Sequence, residues 1–191
     1  DGQWHIWTID ADGGTARQLT KESGDQNVPT WSHDGQWIYF SAGSDTERNI
    51  WRVRSEDGGS LERVTETGSG FLALETPDGK SILYQSDAYE DAALLAAPVS
   101  GGPGRQLVPC AKTSAFDVSH HEIYYVACDS LINPSVHVVN PVTGRDRSLG
   151  ILDGFYFPFP IGFAVSSDGT TVLYVKNIIR SANLMLIENF K

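Results

Sequence analysis

The chain has 191 residues, a formal net charge of -10 and 40% hydrophobic residues, with five Trp, seven Tyr and eight Phe, enough for a domain-sized core. No cluster of Lys or Arg offsets the negative charge, so no direct nucleic-acid binding is expected of this segment. No apolar run reaches the ~20 residues that cross a bilayer, so no membrane span is expected either.

The first predicted elements are Trp4-His5-Ile6-Trp7-Thr8-Ile9, a turn at Asp12-Gly13-Gly14, and Arg17-Gln18-Leu19-Thr20. They read as the third and fourth strands of a unit. A hairpin follows at 28 to 42, VPTWSHDGQWIYFSA, in which Asp34-Gly35 supplies the positive φ of the turn. It returns as LALETPDGKSILYQS at 72 to 86, AFDVSHHEIYYVA at 115 to 127 and GFAVSSDGTTVLYVK at 162 to 176. The first aliphatic residues of the second strands, Ile38, Ile82, Ile123 and Val172, lie 44, 41 and 49 residues apart. That is the period of propeller blades built from four short strands. The copy at His120-His121-Glu122 lacks Asp-Gly and is two residues shorter, so a tighter or differently built turn is expected there.

A third strand follows each hairpin, at Asn49–Val53, Leu94–Ala97, Val136–Val139 and Leu184–Ile187. After the first three of these come Gly-bearing turns and fourth strands at Arg63-Val64-Thr65, Arg105-Gln106-Leu107 and Ser148-Leu149. The predicted fold is all-β, a β-propeller of the six- or seven-bladed type, with three whole and two partial four-stranded blades. Their expected bounds are 1–22 (partial), 23–67, 68–109, 110–150 and 151–191 (partial). A chain that opens inside a blade is expected to have further sequence upstream, where any signal or anchoring segment would lie. The strands at the two ends, Trp4–Ile9 and Leu184–Ile187, are expected to offer edges for self-association.

Motifs of catalysis are missing. The sequence has no G-x-S-x-G, H-E-x-x-H or C-x-x-C, and no Gly-rich phosphate loop followed by Lys. Gly101-Gly102-Pro103-Gly104 lies between a third and a fourth strand and opens no helix, so it reads as a turn. No catalytic, cofactor-binding or metal residues are assigned. Asp34, Asp78 and Asp168, with Gly35, Gly79 and Gly169, recur at one position of the repeat, which points to side chains capping their own turns. Glu90-Asp91 and Asp45 with Glu47 read as solvated loop residues. Cys110 and Cys128 flank the fourth unit's hairpin, and a turn at 119 to 122 leaves them three residues from being opposite. A disulfide is expected if the register shifts or the strand bends, with two buried thiols as the alternative.

The aromatic residues Trp31, Trp37, Trp51, Tyr84, Tyr124, Tyr125 and Tyr174 are expected in the packing between blades. Phe155, Tyr156, Phe157 and Phe159, interleaved with two prolines, have no counterpart in the other connections. They are the candidate contact with a ligand or partner, with inward capping of the central channel as the alternative.

The run P-x-W-S-x-D-G-x-x-I-x-F at 29 to 40, then Ile50-Trp51-Arg52-Val53 and Asp57-Gly58-Gly59 before Arg63-Val64-Thr65, resembles the WD-like repeat of TolB-type propellers. More narrowly, the tail from Phe163 to Lys191, EIYYVAC and NPVTGRDRSLG resemble the C-terminal part of bacterial proteins that join a winged-helix DNA-binding domain to such a propeller. The resemblance implies a non-catalytic domain without cofactors, sensing a small ligand or binding a protein, in an extracytoplasmic compartment of a bacterium. The alternatives are the propeller of a prolyl oligopeptidase or dipeptidyl peptidase, which gates access to a hydrolase domain, and a periplasmic scaffold like TolB.

Overall fold

A computed structural model describes residues 2–44, 47–66, 68, 70–153 and 162–175. These residues form fifteen strands and no helix, and every strand pair is antiparallel. The first blade contributes β1 (Trp7–Thr8) and β2 (Arg17–Gln18). The second is a four-stranded sheet of β3 (Gln26–Trp31), β4 (Trp37–Ser44), β5 (Glu47–Arg54) and β6 (Glu62–Arg63).

The third blade holds β7 (Phe71–Glu75), β8 (Ser81–Gln85), β9 (Ala92–Pro98) and the first half of β10 (Arg105–Ser119). The second half of β10 opens the fourth blade, followed by β11 (Glu122–Ala127), β12 (Ser135–Val139) and β13 (Asp146–Ile151). Because β10 pairs with β9 at one end and with β11 at the other, the two blades form one seven-stranded ladder. The boundary expected between 109 and 110 lies inside this strand. The fifth blade shows β14 (Phe163–Val165) and β15 (Val172–Tyr174).

The second strand of each unit reads as a continuous apolar run because both of its faces are buried. Side chains alternate across a strand, so Ile38 and Phe40 pack back onto Ile6 and Leu19 of the first blade. Tyr39, between them in sequence, packs forward onto Ala73 and Ile82 of the third. The alternation repeats at Leu83, which joins Phe116, Ile123 and Tyr125, and at Tyr124, which joins Phe163. Four hydrophobic clusters therefore occupy four seams between successive blades.

The inner strands are bent at one repeated place. Val28, Leu72 and Ser114 have φ of 48, 46 and 56°, the left-handed region that side chains seldom adopt, and each sits in a shift of register. The shift is one residue in β3 and β7 and three in β10. The hairpin from β10 to β11 has two turn residues, His120 and His121, at φ of 48 and 63°. Positive φ at both is the requirement of a type I′ turn, the tight form that the shorter repeat calls for.

Two aromatic residues depart from the expected core. Tyr84, Tyr124 and Tyr125 are buried and Trp37 and Trp51 half-buried, whereas Trp31 is 58% and Tyr174 37% exposed. Trp31 ends its inner strand one residue before the turn, beyond the seam, where the third blade carries the partly exposed Glu75.

Candidate functional site

The turn aspartates are tied to their own hairpins. Asp34 Oδ1 accepts from the Gln36 N–H at 2.9 Å and the Ser32 hydroxyl at 2.7 Å, and Asp78 Oδ1 from the Thr76 hydroxyl at 2.7 Å and the Lys80 N–H at 3.2 Å. Asp168 repeats the pattern with the Ser166 hydroxyl and the Thr170 N–H, and Gly35, Gly79 and Gly169 supply φ of 67 to 69° beside them. These donors favour the ionised carboxyl and hold all three groups below the ordinary aspartate value of 3.8, Asp168 down to about 2. A folded value below the unfolded one means that ionisation stabilises the turn above pH 3.8, and that this contribution is lost as pH falls through about 2. Carboxyl carbon NMR should therefore find Asp168 titrating more than one unit below an unperturbed Asp. A midpoint at or above 3.8 would contradict the capping role.

The largest group of buried polar side chains surrounds the bulge of β10. Cys110 and Cys128 form a disulfide with Cα atoms 5.8 Å apart. Extending the pairing of Ser119 with Glu122 unbroken would set Cys110 opposite residue 131. The three-residue bulge brings Ala111 opposite Ala127 instead, which aligns the two cysteines. Gln85, fully buried, donates from Nε2 to the Ala111 carbonyl at 3.0 Å and accepts the Ser114 N–H at 2.8 Å. Ser41, one repeat earlier, donates likewise to the Gly70 carbonyl of the next blade. The buried Lys112 ammonium lies 2.7 Å from Asp91, which also accepts the Thr113 N–H. Asp91 is therefore part of this support, not a solvated loop residue.

One arrangement has the outline of a hydrolytic triad. Ser135 Oγ is 2.9 Å from His137 Nε2, and His137 Nδ1 is 2.6 Å from Asp146. The Ser135 hydroxyl hydrogen, however, is donated to Asp129, whose other oxygen accepts the Ser135 N–H. Burial pushes the Asp129 carboxyl up, but the two Ser135 donors outweigh it and hold the group below the ordinary aspartate value of 3.8. The serine hydrogen is thus directed at Asp129 and not at the imidazole. Asp146 also accepts from Tyr125 OH. The network ties β11, β12 and β13 together. Among the described residues no group of three or more His, Cys, Asp or Glu is arranged to hold a metal ion.

Among the described residues, the exposed tryptophans all lie on the first two blades. Trp7 and Ile9, with Pro29 and Trp31, border a shallow groove of about 260 Å³. Trp37 in turn carries Arg52 and Arg54, whose guanidinium carbons lie over its ring at 4.1 and 4.2 Å from the centroid. The sequence signal for this surface is Trp7, placed in the end strand, together with Trp31 and Trp37, which the repeat pattern assigns to packing. Phe155, Tyr156, Phe157 and Phe159, and the end strand Leu184–Ile187, lie outside the described residues. No helix among the described residues is long and apolar enough to cross a membrane.

Comparison with known proteins gives a consistent fold. The family described as dipeptidyl peptidase IV (DPP IV) N-terminal region matches residues 1–87. An uncharacterized protein of Agrobacterium fabrum is 36% identical over 87 residues, 45% of this chain and 29% of that relative's length. The crystal structure of TolB from Acinetobacter baumannii superposes with a TM-score of 0.69 at 22% identity, over 91% of this chain and 43% of that one. A structure from a study of two prolyl endopeptidases superposes with a TM-score of 0.57 at 14% identity, over 78% of this chain and 26% of that one. The chain thus spans less than half the length of each. None of these descriptions names a DNA-binding regulator, so the expected winged-helix partner takes no support from them. The chain folds as a TolB-like β-propeller segment, and it is also similar to the N-terminal propeller of dipeptidyl peptidase IV.

Proposed function

We propose that this chain is the non-catalytic propeller of a serine hydrolase of the dipeptidyl peptidase IV or prolyl oligopeptidase kind, where it controls the access of peptides to chemistry carried by another part of the protein. The observation that carries this reading is the match of residues 1–87 to the dipeptidyl peptidase IV N-terminal region. Consistent with it, the Ser135 hydroxyl hydrogen is donated to Asp129. We infer an extracytoplasmic location from the Cys110–Cys128 bridge, because disulfides persist in oxidising compartments.

The test is active-site labelling of the full gene product. A fluorophosphonate probe should react with a serine outside residues 1–191, and the product should cleave a prolyl anilide, while the 191-residue chain alone stays unlabelled. A full-length product that neither labels nor cleaves would overturn the hydrolase reading. It would favour a second one, an interaction scaffold like TolB, which rests on the TM-score of 0.69 and on the exposed groove at Trp7 and Trp31.

A further inference from the structure

The seams between blades are not equally filled. One repeat position, opposite the third-strand residues Arg52, Ala96 and Val138, is held by Tyr39 in the second blade, Leu83 in the third and Tyr124 in the fourth. In the second blade the tyrosine crosses the seam and its hydroxyl donates to Glu75 of the next blade at 3.1 Å. In the fourth, the phenol oxygen reaches the Asp168-Gly169 turn, where a Cβ added to Gly169 would lie 3.0 Å from it. Leu83 has no ring to extend. Between the third and fourth blades a cavity of about 570 Å³ opens at that place.

The cavity has the walls and the charge of a small-molecule site. Leu83 lies at its base, Ala96, Leu107 and Val118 give it apolar sides, and the exposed Arg105 and His121 border it. Arg105 donates to the Pro141 carbonyl at 2.9 Å through Nη2, which orients the guanidinium, and among the described residues it pairs with no carboxylate. Asp78 also lines the cavity, but its Oδ1 is engaged by Thr76 and Lys80 within its own turn. The volume falls in the range of roughly 300–1,000 Å³ usual for ligand pockets.

We propose that this cavity binds a small aryl carboxylate, with its ring where the sibling seams hold a tyrosine phenol and its carboxylate on the Arg105 guanidinium. This reading is independent of any hydrolase activity of the intact protein. The ring is favoured because Leu83 stands where the sibling seams hold a phenol and the walls around it are apolar, and the acid because Arg105 is an unneutralised fork of donors beside them.

Isothermal titration of the 191-residue chain with phenylacetate, and with benzyl alcohol as its uncharged counterpart, tests this directly. The wild-type chain should bind phenylacetate saturably with a Kd at or below about 1 mM. Leu83→Tyr should weaken both probes by about tenfold or more without lowering the melting temperature, because the ring fills the seam as Tyr39 and Tyr124 do. Arg105→Ala should weaken phenylacetate by about tenfold and leave benzyl alcohol unchanged. Leu107→Phe, from the facing wall, replaces Leu83→Tyr if that variant does not fold. Lack of saturable phenylacetate binding by the wild-type chain, undiminished binding by the ring-filling variant, or equal effects of Arg105→Ala on both probes would each overturn the proposal.

Discussion

Removing the Cys110–Cys128 bridge should cost the chain about 3 kcal/mol of stability, the scale of a cross-link closing a loop of this length. The bridge spans 18 residues and joins β10 to β11 where their register is interrupted. Between Ala111 and Phe116 the ladder supplies no regular pairing, and the covalent link fixes the register at one end of that stretch. The loss should fall on two blades at once, because β10 belongs to both ladders. Urea unfolding of a Cys110→Ser/Cys128→Ser double variant, followed by tryptophan fluorescence and far-UV circular dichroism, measures it. The two probes report different parts, since Trp4, Trp7, Trp31, Trp37 and Trp51 all lie in the first two blades. Earlier unfolding by circular dichroism than by fluorescence would mark the third and fourth blades as the weakened part. A loss below about 1 kcal/mol would mean that the bulge is held without the bridge.

What the sequence makes legible here is whatever repeats. The hairpins recur at intervals that index Ile38, Ile82 and Ile123 to one position, and the structure pairs each with the equivalent inner-strand residue, Trp31, Glu75 or Val118. The caps of the Asp-Gly turns are equally local, since the bonds that Asp34, Asp78 and Asp168 accept come from two residues away. Departures from the repeat are harder to read. The sequence leaves the cysteines three residues out of line, and only the long bulge in β10, two residues larger than its siblings, aligns them. Asp91 reads as a loop carboxylate because its partner Lys112 is 21 residues away and reaches it only through that bulge. Trp31 reads as core because a tryptophan in a strand usually packs, yet its place at the end of β3 takes it past the seam. Leu83 carries no signal alone. It becomes informative when Tyr39 and Tyr124 are aligned with it and the cavity beside it is seen.

Gln85→Ala should destabilise the chain by about 2–4 kcal/mol, a large loss for a residue at the end of a strand. The amide is fully buried and serves both polarities of the bulge, donating to Ala111 and, more distantly, Lys112, and accepting from Ser114. Truncation leaves the Ser114 N–H and the Ala111 carbonyl without this side-chain partner in a dry seam, where each unsatisfied group costs about 1–3 kcal/mol, and it opens a void besides. Ser114 is already in the left-handed region, so the accepted hydrogen bond also offsets strain that a relaxed backbone would not have. Gln85→Glu keeps the size and the acceptor but loses the donor and buries a carboxyl, and should fare no better. Since Gln85 and the disulfide hold the same bulge, their losses should not add. In a double-mutant cycle with Cys110→Ser/Cys128→Ser the coupling should be about 0.5–3 kcal/mol, because once the bulge is free the second restraint has little left to hold. Additive losses to within about 0.3 kcal/mol would show instead that the side chain and the bridge act on separate parts of β10.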